Sequence, residues 1–164
     1  MLFSANRIFT NKGKFLLVMA VLILGLLWIG NWANDEKRVH TAFHQTLAGI
    51  EGGQWRAVER RLHEDYRDPW SEERDHAVRV VRGIANQFTE LQLEAREVNI
   101  RIEDDFALIT CSIHVEGEGS PFAVSAMHKW NQQASELTLR LKKTGMWPGS
   151  WKIIRVEMDD PPRF

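Results

Sequence analysis

Between Lys14 and Asp35 the chain carries no charged residue. The run reads FLLVMAVLILGLLWIGNWAN over residues 15–34. A helix of about 20 apolar residues crosses the hydrocarbon core of a bilayer, and a helix pairs its own backbone polar groups, as lipid demands. The run exceeds the roughly 7–15 residues of a signal-peptide core. No small-x-small cleavage site follows closely, and no cysteine follows Leu27-Trp28-Ile29-Gly30. The expectation is therefore an uncleaved membrane anchor over 15–34. Trp28 and Trp32 stand one turn apart at its far end, where indole rings favour the headgroup zone. Gly25 and Gly30 are five apart rather than four, so no small-xxx-small helix-pairing seam is evident.

Charge sets the expected direction. Arg7, Lys12 and Lys14 precede the run, against Lys37 and Arg38 just after it. That bias favours a short cytoplasmic N-terminus over 1–14 and a C-terminal domain outside the cytoplasm. All 22 acidic residues follow the run, with the remaining basic ones, so this part is net acidic by about four charges. An acidic domain argues against a nucleic-acid partner. The segment after Asp35 is long enough for one domain with its own core, expected over 35–160 with a tail at 161–164. The single cysteine, Cys111, has no internal disulfide partner and decides nothing about the compartment.

The domain begins with helical periodicity. Asn34-Asp35-Glu36 suits a helix start, and Val39, Phe43, Leu47 and Ile50 recur at helical spacing until Gly52-Gly53. Trp55, Val58 and Leu62 mark a second, short helix, and Glu64 to Asp68 reads as a polar link broken at Pro69. A third helix is expected from Asp68 or Ser71, with Ala77, Val81, Ile84 and Phe88 as its buried stripe.

The period then falls to two. Leu91, Leu93 and Ala95 alternate, and Val98, Ile100 and Ile102 continue in the opposite phase, which places a bulge near Arg96. After a turn at Glu103-Asp104-Asp105, the residues Ala107, Ile109, Cys111, Ile113 and Val115 form one strand face. Gly117, Gly119 and Pro121 read as a connection, and Phe122, Val124, Ala126, His128 and Trp130 as one face of a further strand. Leu137, Leu139 and Leu141, then Trp151 to Met158, give the last two strands. The expected fold class is α+β: an N-terminal transmembrane helix, then three helices packed on a curved antiparallel sheet of four to five strands.

This order resembles the nuclear-transport-factor-2-like superfamily, including its SnoaL-like domains. The resemblance rests on the helical first half, the break Glu64-Asp65-Tyr66-Arg67-Asp68-Pro69, and the Gly149-Ser150-Trp151-Lys152-Ile153-Ile154 start of the last strand. It spans about Asp35 to Met158 and implies a cone-shaped fold with a pocket between sheet and helices. Isomerases, dehydratases, ligand binders and assembly domains all use that fold, so the fold does not name a function. Single-anchor members also serve as envelope assembly factors, as in type IV secretion systems, and this layout is similar to theirs.

Four residues are candidates for ligand binding: Tyr66, Asp68, His128 and Trp130. The resemblance puts Tyr66 and Asp68 where such enzymes place polar pocket groups, and an aspartate in an apolar pocket can act as a base. Against that stands the plainer role of Asp68 as a helix cap beside Pro69. His128 shares its expected strand face with Trp130, so it would be the best titratable group of a pocket lined by that face. His40 and His44 are one turn apart, but without a third ligand they give no metal site. Arg140, Lys142, Lys143, Lys152 and Arg155 gather near the last hairpin, a solvated face or a surface for an anionic partner or lipid headgroups. Trp147, between Gly145 and Pro148, is a candidate contact residue at the hairpin tip.

No nucleophile–base arrangement, phosphate loop or cofactor motif stands out. The leading expectation is a non-enzymatic binding or assembly module, anchored in the membrane through 15–34. Its expected partners are envelope proteins or further copies of itself, with a small apolar ligand as an option. The alternative is a small-molecule binder or an isomerase- or dehydratase-like enzyme using the cone pocket. No cofactor is expected.

Overall fold

The computed structural model describes residues 18–23, 34–69, 73–133, 136–145 and 149–159. The chain divides into two units, Met1–Asn34 and Asp35–Phe164. In the first, residues 18–23 are helical with exposed apolar side chains. Most of the expected anchor, Trp28 and Trp32 included, lies outside the described residues. Among the described residues no helix is long and apolar enough to cross a membrane. Trp147 and Ser71 also lie outside them.

Among its described residues the second unit has four helices and five strands. They are α1 (Asp35–Glu51), α2 (Trp55–Arg61), β1 (Leu62–Arg67), α3 (Arg74–Ala85), β2 (Phe88–Glu103), β3 (Phe106–Gly119), α4 (Pro121–Gln133), β4 (Leu137–Lys143) and β5 (Trp151–Met158). The sheet order is β1-β5-β4-β3-β2. β1 runs parallel to β5, and every other pairing is antiparallel, so the sheet is mixed rather than antiparallel as expected. The segment 62–67, expected as the end of a helix and a link, joins the sheet edge beside β5, and a fourth helix stands where a strand was expected.

α1 buries the stripe Val39, Ala42, Phe43, Thr46 and Gly49. The Thr46 hydroxyl donates to the Ala42 carbonyl at 2.8 Å, which removes the penalty of burying it. Gly53 takes φ +63°, a left-handed conformation that ends the helix, and Gln54 N–H returns to the Gly49 carbonyl at 2.7 Å. The stripe lies on the inner face of the sheet, against Ile109 and Cys111 of β3, Leu139 and Leu141 of β4, and Trp151 and Ile153 of β5. Trp151, Phe43, Ile109 and Leu141 are the largest of the fully buried side chains.

The start of α1 is tied to the β4–β5 hairpin. The Asp35 carboxylate accepts from Lys143 Nζ at 2.7 Å, from Arg38 Nη1 at 3.0 Å and from Trp151 Nε1 at 3.3 Å. Arg38 Nη2 donates to Ser150 Oγ at 2.6 Å. Burial alone would raise the Asp35 pKa. The hydrogen bonds from Lys143 and Trp151, with the charges of Lys143 and Arg38, outweigh burial and hold it below the ordinary carboxylate value.

The phase switch in β2 is a bulge. Its pairing with β3 shifts between Arg96 and Asn99, and Glu97 there takes φ 55°. Four further expectations fail. Residues 122–130 form helix α4 rather than a strand. Pro121 suits the first turn of a helix, and the preceding Ser120 accepts the Ala123 N–H on its Oγ at 3.2 Å. The face that docks is Ala123, Ala126 and Trp130, at helical spacing, with two side chains too small to announce it. Glu64 to Asp68 is no polar link, because residues 62–67 form the edge strand β1. Phe88 does not close the third helix but opens β2. Gly117 and Gly119 lie inside β3 rather than in a connection. A Cβ there would come within 2.3 Å of Glu90 O and 2.4 Å of Gln87 O, so only glycine lets β2 pass that close.

α4 completes the sheet in an unusual place. β4 pairs with β3 only as far as Cys111, so the next stretch of β3 is paired with β2 on one edge and has no β4 partner on the other. Asn131 of α4 accepts the Val115 N–H on Oδ1 at 2.9 Å and donates Nδ2 to the Val115 carbonyl at 2.7 Å. Trp130 Nε1 donates to the Ile113 carbonyl at 2.8 Å. Side chains of a helix thus satisfy backbone groups that a strand would otherwise have to pair.

Candidate functional site

A cavity of about 150 Å3 lies between the helices and the inner face of the sheet. α1 contributes Phe43 and Leu47, α2 contributes Trp55, α3 contributes Val81, β1 contributes Tyr66, and Leu139 and Ile153 belong to the sheet side. This composition follows from the fold: each helix turns its apolar stripe inward, and alternate strand residues face it.

Besides the Trp55 indole N–H, the polar side-chain atoms of the lining are the hydroxyls of Thr46 and Tyr66. Thr46 is spent on the Ala42 carbonyl. Tyr66 is buried, at 7% exposure, and its hydroxyl is hydrogen-bonded to the Asp68 carboxylate. Burial, the nearby Asp68 charge and that hydrogen bond all push the phenol pKa far above its usual value. Tyr66 is therefore a neutral phenol whose proton is directed at Asp68, with an oxygen lone pair left to accept a hydrogen bond. It is neither a nucleophile nor a base at physiological pH.

The structure brings Tyr66 and Asp68 together and leaves the other two candidates elsewhere. Asp68 follows β1 and is half-buried, and it does not line the cavity. It does not cap the third helix either, since α3 begins at Arg74 behind Glu73. His128 is exposed on α4, because the helix turns it away from the face that docks. Trp130 is half-buried, bonded to β3, and outside the cavity lining. The His40 and His44 rings lie tilted to one another with centroids 4.2 Å apart, both exposed. Among the described residues, the one group spaced for a metal is His63, Glu64 and Asp65, which are neighbours on β1. Cys111 is buried on the inner face. Burial, helped by the Glu136 charge, pushes its thiol up to about 11, so it stays protonated and unreactive.

Sequence reasoning missed Trp55 and Leu139 as cavity walls, although their helical and alternating patterns marked them as inward-facing. It also missed His63 and Arg67, which belong to a face that exists only because residues 62–67 form a strand. Their spacing of two with Asp65 between them was the available signal.

The comparisons with known proteins agree with this architecture. A comparison with curated proteins finds no match. Among solved structures, a candidate dehydratase of the nuclear-transport-factor-2-like family from Streptomyces avermitilis superposes with a TM-score of 0.58 at 15% identity, covering 76% of this chain and 94% of that one. A candidate scytalone dehydratase from Novosphingobium aromaticivorans gives 0.57 at 12% identity, covering 76% and 82%. A candidate ketosteroid isomerase from Shewanella frigidimarina gives 0.53 at 19% identity, covering 74% and 94%. At such identities these likenesses establish the fold. The family model described as a SnoaL-like domain matches residues 39–157, most of the chain, and the chain belongs to that family.

Proposed function

We propose that this chain is a binding module whose cavity takes a small apolar molecule or an apolar group of a partner. The observation that carries this reading is the lining: the Thr46 and Tyr66 hydroxyls give their protons to other groups, and among the described residues no carboxylate, imidazole or amine lines the cavity. An isomerase or dehydratase of this shape would need an acid or base within hydrogen-bond reach of its substrate. A mostly apolar cavity of about 150 Å3 is large enough for a benzene-sized ring. The module is held in the cytoplasmic membrane by residues 15–34, with its folded domain outside, where it associates with other envelope proteins. Support for that placement is the uncharged run itself and the basic residues Arg7, Lys12 and Lys14 before it.

One specific observation favours the alternative, an enzyme. Tyr66 in the cavity wall is paired with the Asp68 carboxylate outside the lining, and candidate dehydratases and a candidate isomerase share the fold. A titration tests the binding reading. The full chain, reconstituted in phosphatidylcholine nanodiscs, is titrated with benzene and followed by thermal unfolding. Binding raises Tm by several degrees at saturation, Tyr66→Phe keeps that response, and Ala77→Leu, which fills the cavity, abolishes it. No shift, or an equal shift in Ala77→Leu, overturns the binding reading. Alkaline carbonate extraction of membranes is the check on the anchor: the intact chain stays in the pellet, and release into the supernatant refutes membrane insertion.

A further inference from the structure

The outer face of the sheet holds a second concavity of about 380 Å3. It is lined by Arg67 of β1, Arg155 of β5, and Arg140 and Lys142 of β4, together with His63 and Phe106. Asp65 is the one acid among the described lining residues, and Ile154 adds an apolar patch. The strand register makes the arrangement specific. Arg67 pairs with Arg155, and Arg155 pairs with Arg140, so three arginines stand abreast on three neighbouring strands. Neighbouring strands lie about 4.8 Å apart, and like charges directly opposite destabilise a sheet. A domain with a net negative charge has placed its cations where they repel one another.

Two of the guanidinium groups are held in place. Arg140 sits over the Phe106 ring, 4.5 Å from its centroid. Arg67 Nη1 donates to the Tyr66 carbonyl at 2.9 Å. His63 is 8% exposed and accepts the Asp65 N–H on Nδ1 at 3.1 Å, which leaves Nε2 as the protonated ring nitrogen. Arg155 gives one nitrogen to Glu157 at 3.2 Å. The concavity thus keeps a positive excess, with donors fixed before any ligand arrives.

We propose that this arginine row binds a phosphate-type oxyanion, carried either by a soluble molecule or by a phospholipid headgroup. Guanidinium forks match the paired oxygens of phosphate, and an anion between them turns their mutual repulsion into shared attraction. Phe106 and Ile154 give the uncharged remainder of the ligand a surface to lie on. The site is on the opposite face of the sheet from the cavity and stands whether or not the cavity binds anything.

The test uses the full chain in an uncharged detergent and isothermal calorimetry. Inorganic pyrophosphate is titrated in one arm and dihexanoyl phosphatidic acid in the other, with dihexanoyl phosphatidylcholine as the zwitterionic control. Saturable binding of at least one anion is expected. It should weaken at least about tenfold in Arg140→Gln and in Arg155→Gln and fall with added salt. Arg96→Gln, an exposed cation on β2, should leave it unchanged. Tighter binding of pyrophosphate points to a soluble ligand, and tighter binding of phosphatidic acid points to a headgroup. If either arginine variant loses its thermal transition, Lys142→Gln takes its place. The proposal is overturned if neither anion binds, or if the groove variants bind as the parent does.

Discussion

The two faces of strands β4 and β5 are made from the same short segments, alternating except at a bulge where Ile154 and Arg155 both face outward, yet they obey opposite rules. Leu139, Leu141, Trp151 and Ile153 face inward and are buried. Arg140, Lys142, Ile154 and Arg155 line the outer concavity. Inside, stability comes from removing apolar surface from water, and the polar atoms present are paired locally. Outside, cations stand together at some cost to the sheet. Side chains that the fold does not need are better markers of function than those that hold it together. On that criterion the outer face is the more informative one.

The contrast can be broken by substitution. The largest effect is expected on the inner face. Trp151→Ala removes a fully buried indole and should cost about 3–5 kcal/mol, measured by urea denaturation of the full chain in detergent. A loss under about 1 kcal/mol would mean that the inner face is not the core. A middle effect is expected where the faces meet, at the start of α1. Asp35→Asn removes the charge that Lys143 and Arg38 bind and should cost on the order of 0.5 kcal/mol near neutral pH. The folded pKa of Asp35 lies below its unfolded value near 3.8. Its contribution is therefore present above about pH 3.8 and is lost as the pH falls through the lower, folded pKa. Parent and Asp35→Asn stabilities should converge in that acid window, and a constant gap down to the lowest pH would refute the assignment. The smallest effect is expected on the outer face. Arg140→Ala should change stability by about 0.5 kcal/mol or less, and relief of the like-charge row could make the change stabilising. A cost above about 2 kcal/mol would make Arg140 structural and erase the distinction between the faces.

Much of the inner face was legible in the sequence. The alternation of Ala107, Ile109 and Cys111, the spacing of Val39 and Phe43, and the phase switch at Arg96 each report local geometry, and local geometry is what periodicity encodes. What could not be read depended on distant partners. β1 has a polar sequence and becomes a strand because β5, nearly ninety positions later, offers it a parallel edge. α4 carries a period-two coincidence in Phe122, Val124, Ala126, His128 and Trp130. Its true docking face uses alanines, whose weak hydrophobic signal cannot compete. The Tyr66–Asp68 pair was legible as two nearby polar residues, but not as a bond that silences the phenol. The arginine row needed the β1 register before Arg67 could join Arg140 and Arg155.

The bonds of Asp35 to Lys143 and Trp151 have a mechanical meaning as well. Any pull transmitted along the backbone through Asn34 reaches those bonds in the first turn of α1, before it can unwind the helix. The load passes to the β4–β5 hairpin and is spread over the ladder of the sheet. A body tugged from its N-terminal side would hold its shape until that attachment lets go.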